Sequence, residues 1–271
     1  MAIVTISRGS GTLGEDIGKS VAEKLGYEYV GKDLILKEIQ AQACPSEKWL
    51  EWGRELDEHG PSVWERFDRS FLGFVALVES AIYGYAMKND RVIMGRGANW
   101  LLRDVPYALR VRIVAPMEER IRRVSDREHV NRETARRMIE FSDHERESYL
   151  HAVYRKDGSE PEDYDLVFDT GKLGVADVVG LIVDAIPATE KRATPQAKER
   201  IQQLALAARV KAAVNTDFRS FVPTLEVVHD GSEIVLRGIV HSEKEQKLVM
   251  ETAKIAAGST PVRSELHYRG A

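Results

Sequence analysis

Short apolar runs alternate with segments in which apolar residues return every three or four positions. Residues 2–6 form the first run, and Ile17, Val21 and Leu25 then line one face of a helix. Further strand-like runs lie at 27–30, 91–94, 108–114 and 166–169. Helical patterns fall near 117–124, 132–155 and 174–185, and a largely helical stretch covers 34–88. Such alternation predicts a parallel sheet with helices on both faces and with ligands at the carboxyl ends of its strands. Within the long stretch, Phe67, Phe71, Val75, Val78, Ile82 and Tyr85 keep helical spacing, and Glu79 interrupts the most apolar part. That part reads as a buried helix rather than a membrane span.

From Pro187 the periodicity lapses, and two prolines flank a polar stretch that reads as a linker over 188–198. Beyond it the pattern is new: a helix over 199–214, strands at 224–229 and 233–240, a helix over 242–257 and a strand at 262–268. Asp230-Gly231 between two alternating apolar runs signals a hairpin. The expected division is therefore a larger α/β domain over 1–187 and a small α+β domain over 199–271.

The chemistry is concentrated after the first strand. Arg8, Gly9, Ser10, Gly11, Thr12, Leu13 and Gly14 lead directly into the first helix. Glycines there let a ligand approach the backbone, and the first amides of a helix have no internal partners, so an anion such as phosphate is the natural guest. A search for Gly-x-x-x-x-Gly-Lys-Ser nearly matches 13–20, but Leu13 stands at the first glycine. That register would also leave the helix about two turns before Gly26. In the earlier register Glu15 and Asp16 follow Gly14, no lysine stands where it would reach the β- and γ-phosphates, and Lys19 lies a turn further on. A second glycine turn, Gly95-Arg96-Gly97, follows the strand at 91–94.

Composition adds limits. At 271 residues, 43% hydrophobic and 30% charged, the chain has ordinary globular composition and room for two domains. A net charge of −4 gives no general attraction to nucleic acid. Cys44, the single cysteine, excludes an internal disulfide framework and agrees with a reducing, cytoplasmic setting. Met1 runs straight into the first strand, and neither a signal peptide nor a transmembrane segment is expected.

Several pieces occur in an order that resembles the cytidylate kinase-like group of P-loop nucleoside monophosphate kinases. They are Thr5-Ile6-Ser7-Arg8 with Gly11 and Gly14, Ile17-Gly18-Lys19, Ala22 to Gly26, Gly95-Arg96-Gly97-Ala98-Asn99, and Ala115-Pro116 with Glu118 to Ile121. Asp143, Arg146, Tyr149, Tyr164 to Val167 and Asp169-Thr170 follow. The resemblance implies a P-loop kinase fold and ATP with Mg²⁺ as cofactors, and it implies phosphoryl transfer to a nucleoside monophosphate such as CMP or to a related small molecule. It also implies roles. Residues 8–12 and Gly14 would bind the nucleotide phosphates, Arg96, Gly97 and Asn99 the acceptor, and Arg120, Arg123 and Arg146 would serve catalysis from the lid side. Residues 199–268 are similar to a BON domain, on Arg209 to Ala213, Asp230-Gly231, Val235 to Val240 and Ala253 to Gly258. This implies a weak lipid or protein partner.

The chain departs from the family pattern at Leu13, Glu15 and Gly31, where the family usually carries glycine, a basic residue and an acidic residue in turn; the better-characterised cytidylate kinases also have a loop lysine at the position of Gly14 or Glu15 and an acidic residue at that of Gly97. The other reading of these residues is a catalytically impaired, nucleotide-responsive module coupled to the C-terminal domain.

Overall fold

The computed structural model describes residues 1–42 and 68–268. Cys44, Phe67 and the middle of the expected helical stretch lie outside the described residues. Five strands, β1 (Ile3–Arg8), β2 (Glu28–Val30), β3 (Arg91–Met94), β4 (Ala108–Val114) and β5 (Leu166–Asp169), form a parallel sheet in the order β2-β3-β1-β4-β5. β1 is central, with Ile3 to Ile6 in register with Arg91 to Met94 on one side and with Ala108 to Val111 on the other.

Helix α1 (Gly14–Leu25) follows β1, and α7 (Val175–Glu190) follows β5. Ile17, Val21, Val178 and Ile182 from these helices pack on Val4, Ile6, Val111 and Ile113 in one core. Ile3 and Thr5 point to the other side of the pleat and are as completely buried, so β1 is covered on both faces. The remaining helices are α2 (Lys32–Gln42), α3 (Arg69–Met87), the short α4 (Ala98–Leu101), α5 (Met117–Glu128) and α6 (Arg132–Tyr154). The start of α1 at Gly14 fixes the loop register expected from the apolar spacing. Gly18 is helical and buried, and a Cβ there would come 2.7 Å from Met94 Cε, so this glycine serves helix-to-strand packing.

The C-terminal elements are α8 (Pro195–Thr216), β6 (Glu226–His229), β7 (Ile234–Val240), α9 (Glu243–Ala257) and β8 (Val262–Tyr268). β6 and β7 are antiparallel, and β7 and β8 are parallel across α9. Val210, Val214, Ile234, Leu236, Val249, Ala253 and Leu266 form their core.

Two compact units emerge among the described residues. The first comprises Met1–Leu34 and Lys88–Lys198; the second takes in 35–42, 68–87 and 199–268. The second unit thus includes α3 as well as the C-terminal elements, a grouping different from the expected division at 187–199. Lys211 Nζ pairs with Glu79 Oε2 at 2.8 Å, and Arg69 donates to the carbonyls of Phe218 and Ser220. Periodicity identifies an apolar helix but not its partner. Among the described residues α3 is the one helix long and apolar enough to cross a membrane, and 72% of its apolar window is buried.

The segment expected as a linker over 188–198 is helical at both ends. Pro187 lies inside α7, one turn from its end, where its missing amide gives up a backbone hydrogen bond, whereas Pro195 takes the first position of α8, where the amide would have had no helical partner. Thr194 caps that helix, its Oγ1 accepting from Ala197 N at 3.2 Å. Only Lys191 to Thr194 connect the helices.

Candidate active site

The loop from Arg8 to Gly14 owes its shape to donors on its carbonyl side. Thr12 Oγ1 donates to Gly9 O at 2.9 Å, Arg120 Nε to Ser10 O at 2.7 Å, Arg123 Nη1 to Gly11 O at 3.3 Å, and Thr170 Oγ1 to Thr12 O at 3.0 Å. Four consecutive carbonyls are held from within, and on the amide side Ser10 N donates to Asp143 Oδ1 at 3.2 Å, so the loop presents an amide to an anion as an anion-binding concavity does. Arg123 is fixed in turn by Thr170, donating to its Oγ1 at 2.9 Å and its carbonyl at 2.8 Å. Gly11 and Leu13 adopt left-handed φ of 75° and 64°. Gly14 allows close packing, because a Cβ there would lie 2.5 Å from Arg8 Cβ.

Two cavities flank this loop. One, of about 750 Å³, runs along the loop and the start of α1, past Asp16, Arg123 and Asp126. The other, of about 620 Å³, lies between α1 and the turn after β3 and reaches Lys19, Arg96, Asn99, Trp100, Glu145 and Tyr149. Arg8, Glu15, Ser142 and Arg146 line both. A smaller recess of about 190 Å³ contains Arg120 and Asp143, and Arg8 and Arg146 line it as well. Arg8 and Arg146 therefore line all three spaces.

Gly95, Arg96 and Gly97 are consecutive left-handed residues, at φ 67°, 55° and 74°. Glycine adopts this conformation freely but arginine does not, at a cost of about 1–3 kcal/mol, and such outliers concentrate at functional sites. Tyr154 on α6 holds the turn, its hydroxyl donating to Arg96 O at 2.9 Å. The Arg96 guanidinium lies over the Tyr149 ring, 5.7 Å from its centroid. Asn99 is 4% exposed, Trp100 8% and Glu145 7%; Asn99 Nδ2, Trp100 Nε1 and Glu145 Oε2 have no hydrogen-bond partner among the described residues. Two buried donors and one buried acceptor thus belong to residues that line one cavity, and leaving them unpaired costs free energy.

Glu15 accepts from Lys19 Nζ at 2.7 Å, and this hydrogen bond holds its carboxyl below the ordinary range. Lys19 lies one turn into α1 and lines the second cavity, while its partner Glu15 lines both. Tyr164 is pushed up by burial; its hydroxyl accepts from Arg112 Nη1 at 3.1 Å and donates to Gly158 O at 2.9 Å, supporting the end of β1 beside Ser7.

The residues expected from the sequence are thus distributed over distinct parts. Arg8, Gly9, Ser10, Gly11 and Gly14 line the loop-side cavity, with Thr12 buried behind it; Arg96, Gly97 and Asn99 line the second cavity; Arg146 belongs to both. Arg120 and Arg123 grip the loop carbonyls. Trp100 and Glu145 carried no sequence signal, since Glu145 lies in a run of charged residues that reads as a solvated helix face.

A model of the cytidylate kinase-like family matches residues 3–172. The cytidylate kinase of Methanocaldococcus jannaschii is 28% identical over 196 residues, covering 70% of this chain and 99% of its own. That of Halobacterium salinarum is 27% identical over 187 residues, covering 69% and 90%. An uncharacterized protein from Eubacterium ventriosum shares the fold, with a TM-score of 0.55 at 21% identity over 69% of this chain and 99% of that one.

Proposed function

The chain belongs to the cytidylate kinase-like family, and on that premise we propose that it transfers a phosphoryl group from ATP to a nucleoside monophosphate such as CMP, with Arg8 taking the place of the loop lysine. The observation that carries this reading is that Arg8 and Arg146 line both cavities. Phosphoryl transfer needs donor and acceptor held in line and the developing charge neutralised, and planar, permanently charged guanidinium groups do this well. ATP would enter along the loop. The acceptor's phosphate would meet Arg96, and its base would lie by Asn99, Trp100 and Glu145. A cytosine edge offers an amino donor, for the Glu145 carboxylate, and acceptors, for the two donors.

Arg120 and Arg123 act through the loop as positioning residues in this account. Asp16 at the start of α1 and Asp126 on the same cavity are the carboxylates that suit Mg²⁺. Among the described residues no group of three or more His, Cys, Asp or Glu could hold a metal ion; an ion bound through the nucleotide phosphates would keep most of its waters. The ion would supply charge neutralisation. A catalytically impaired, nucleotide-responsive module is the second reading, and it rests on Glu15 standing beside the loop. For the C-terminal elements the order of helix, two strands, helix and strand is compatible with a BON-like module, and a weak lipid or protein partner would follow only from that likeness.

Turnover measured by ADP release over CMP, dCMP, UMP, AMP and GMP tests the proposal. CMP is expected to be accepted, and Arg96→Ala to lower turnover by orders of magnitude with ATP affinity nearly unchanged. ATP binding without turnover on any acceptor would favour the second reading. A large loss of thermal stability in Arg96→Ala would instead make that residue a structural charge partner.

A further inference from the structure

One loop amide already has an anion on it. Ser10 N donates to Asp143 Oδ1 at 3.2 Å, and the same oxygen accepts from Arg146 Nη1 at 3.1 Å. The other carboxylate oxygen is ion-paired with Arg120, whose Nε holds the Ser10 carbonyl at 2.7 Å. The Arg120 side chain is 12% exposed and that of Asp143 24%, so the cluster is largely withdrawn from water. A backbone amide and two guanidinium groups converging on one set of oxygens is the arrangement by which proteins bind phosphate.

We propose that Asp143 is an internal phosphate mimic, an autoinhibitory contact that the polyphosphate of an incoming nucleotide must displace. The inference rests on the reading that this loop takes a polyphosphate. Asp143 lies near the middle of the 23-residue helix α6, which also carries Arg146, Tyr149 and Tyr154. Displacing its carboxylate frees the facing edges of Arg120 and Arg146 for the phosphates. It also breaks the tie from α6 to the loop, so donor loading is coupled to the helix that lines the acceptor cavity.

The alternative is that Asp143 only positions the two arginines for phosphate, and the two roles predict opposite signs. Calorimetric titration with pyrophosphate, and with ATP, compares wild type with Asp143→Asn and Asp143→Ser at fixed ionic strength, the second variant serving if the first folds poorly. A competing carboxylate predicts that Kd falls about tenfold or more in the neutral variants, as loss of a charge-assisted contact implies. An unchanged or higher Kd in variants with wild-type melting temperature overturns the mimic and leaves the kinase reading intact. If neither wild type nor variants bind either ligand, the loop takes no polyphosphate, and both readings fall together.

Discussion

Gly97→Ala isolates the contribution of the turn after β3. The residue keeps φ at 74°, which costs an L-residue about 1–2 kcal/mol. The added Cβ would also overlap the Tyr154 ring and lie 2.8 Å from its hydroxyl oxygen. The ring cannot simply swing away, because its hydroxyl holds Arg96 O at 2.9 Å and its face packs on Trp100, with centroids 5.5 Å apart. Forcing one carbon into such a contact costs about 1–3 kcal/mol. The sum, about 2–5 kcal/mol, corresponds to a melting temperature lower by about 5–15 °C in a protein of this size.

Gly26→Ala is the control, since Gly26 has a similar φ of 68° and nothing within 4 Å of a Cβ. It should lose only the backbone part, about 1–2 kcal/mol. Thermal melts read both, and a Tyr154→Ala background should reduce the cost of Gly97→Ala to that of the control. If Gly97→Ala melts no lower than Gly26→Ala, the packing of Tyr154 against the turn is not as described.

Two further outcomes concern stability and organisation. Burial alone would raise Asp165, but hydrogen bonds from Arg110 N at 2.8 Å, Nε at 3.1 Å and Nη2 at 2.8 Å hold its carboxyl below the ordinary range. Because the folded pKa is depressed, the stabilisation is present above the unfolded value of about 4 and is lost as pH falls from there through the folded pKa; denaturant titrations of Asp165→Asn should show a shallower loss over that window, and an unchanged pH slope would contradict it. Limited tryptic cleavage should fall first at exposed Lys191 or Arg192, and the fragments should co-elute on gel filtration because α3 groups with the C-terminal elements; separate elution would contradict the grouping.

Much of this architecture was legible from local pattern. The run at 2–6, the glycines to Gly14 and the spacing of Ile17, Val21 and Leu25 specify strand, loop and helix, and α1 begins at Gly14. Asp230-Gly231 marked its hairpin because the turn chemistry is local: Asp230 Oδ1 accepts from the amides of Ser232 and Glu233, each at 3.0 Å, and Gly231 takes φ of 108°. What escaped was non-local. Glu145 belongs to the site because a tertiary contact buries one member of a charged run. Arg120 and Arg123 were expected on the lid side, and their attachment to the loop carbonyls depends on where α5 lands. The prolines at 187 and 195 read as helix breakers, while Pro195 at the first position of α8 is compatible with helix and Pro187 is carried inside the end of α7.

The central claim is that a phosphoryl group crosses between the two cavities beside Arg8 and Arg146. Phosphorus NMR of the wild-type chain with ATP, Mg²⁺ and CMP follows that crossing directly. The account predicts CDP and ADP accumulating in equal amounts, with the rate lost in Arg8→Ala and partly retained in Arg8→Lys. ATP that stays intact, or that yields inorganic phosphate without CDP or any other nucleoside diphosphate product across the five acceptors, would contradict it.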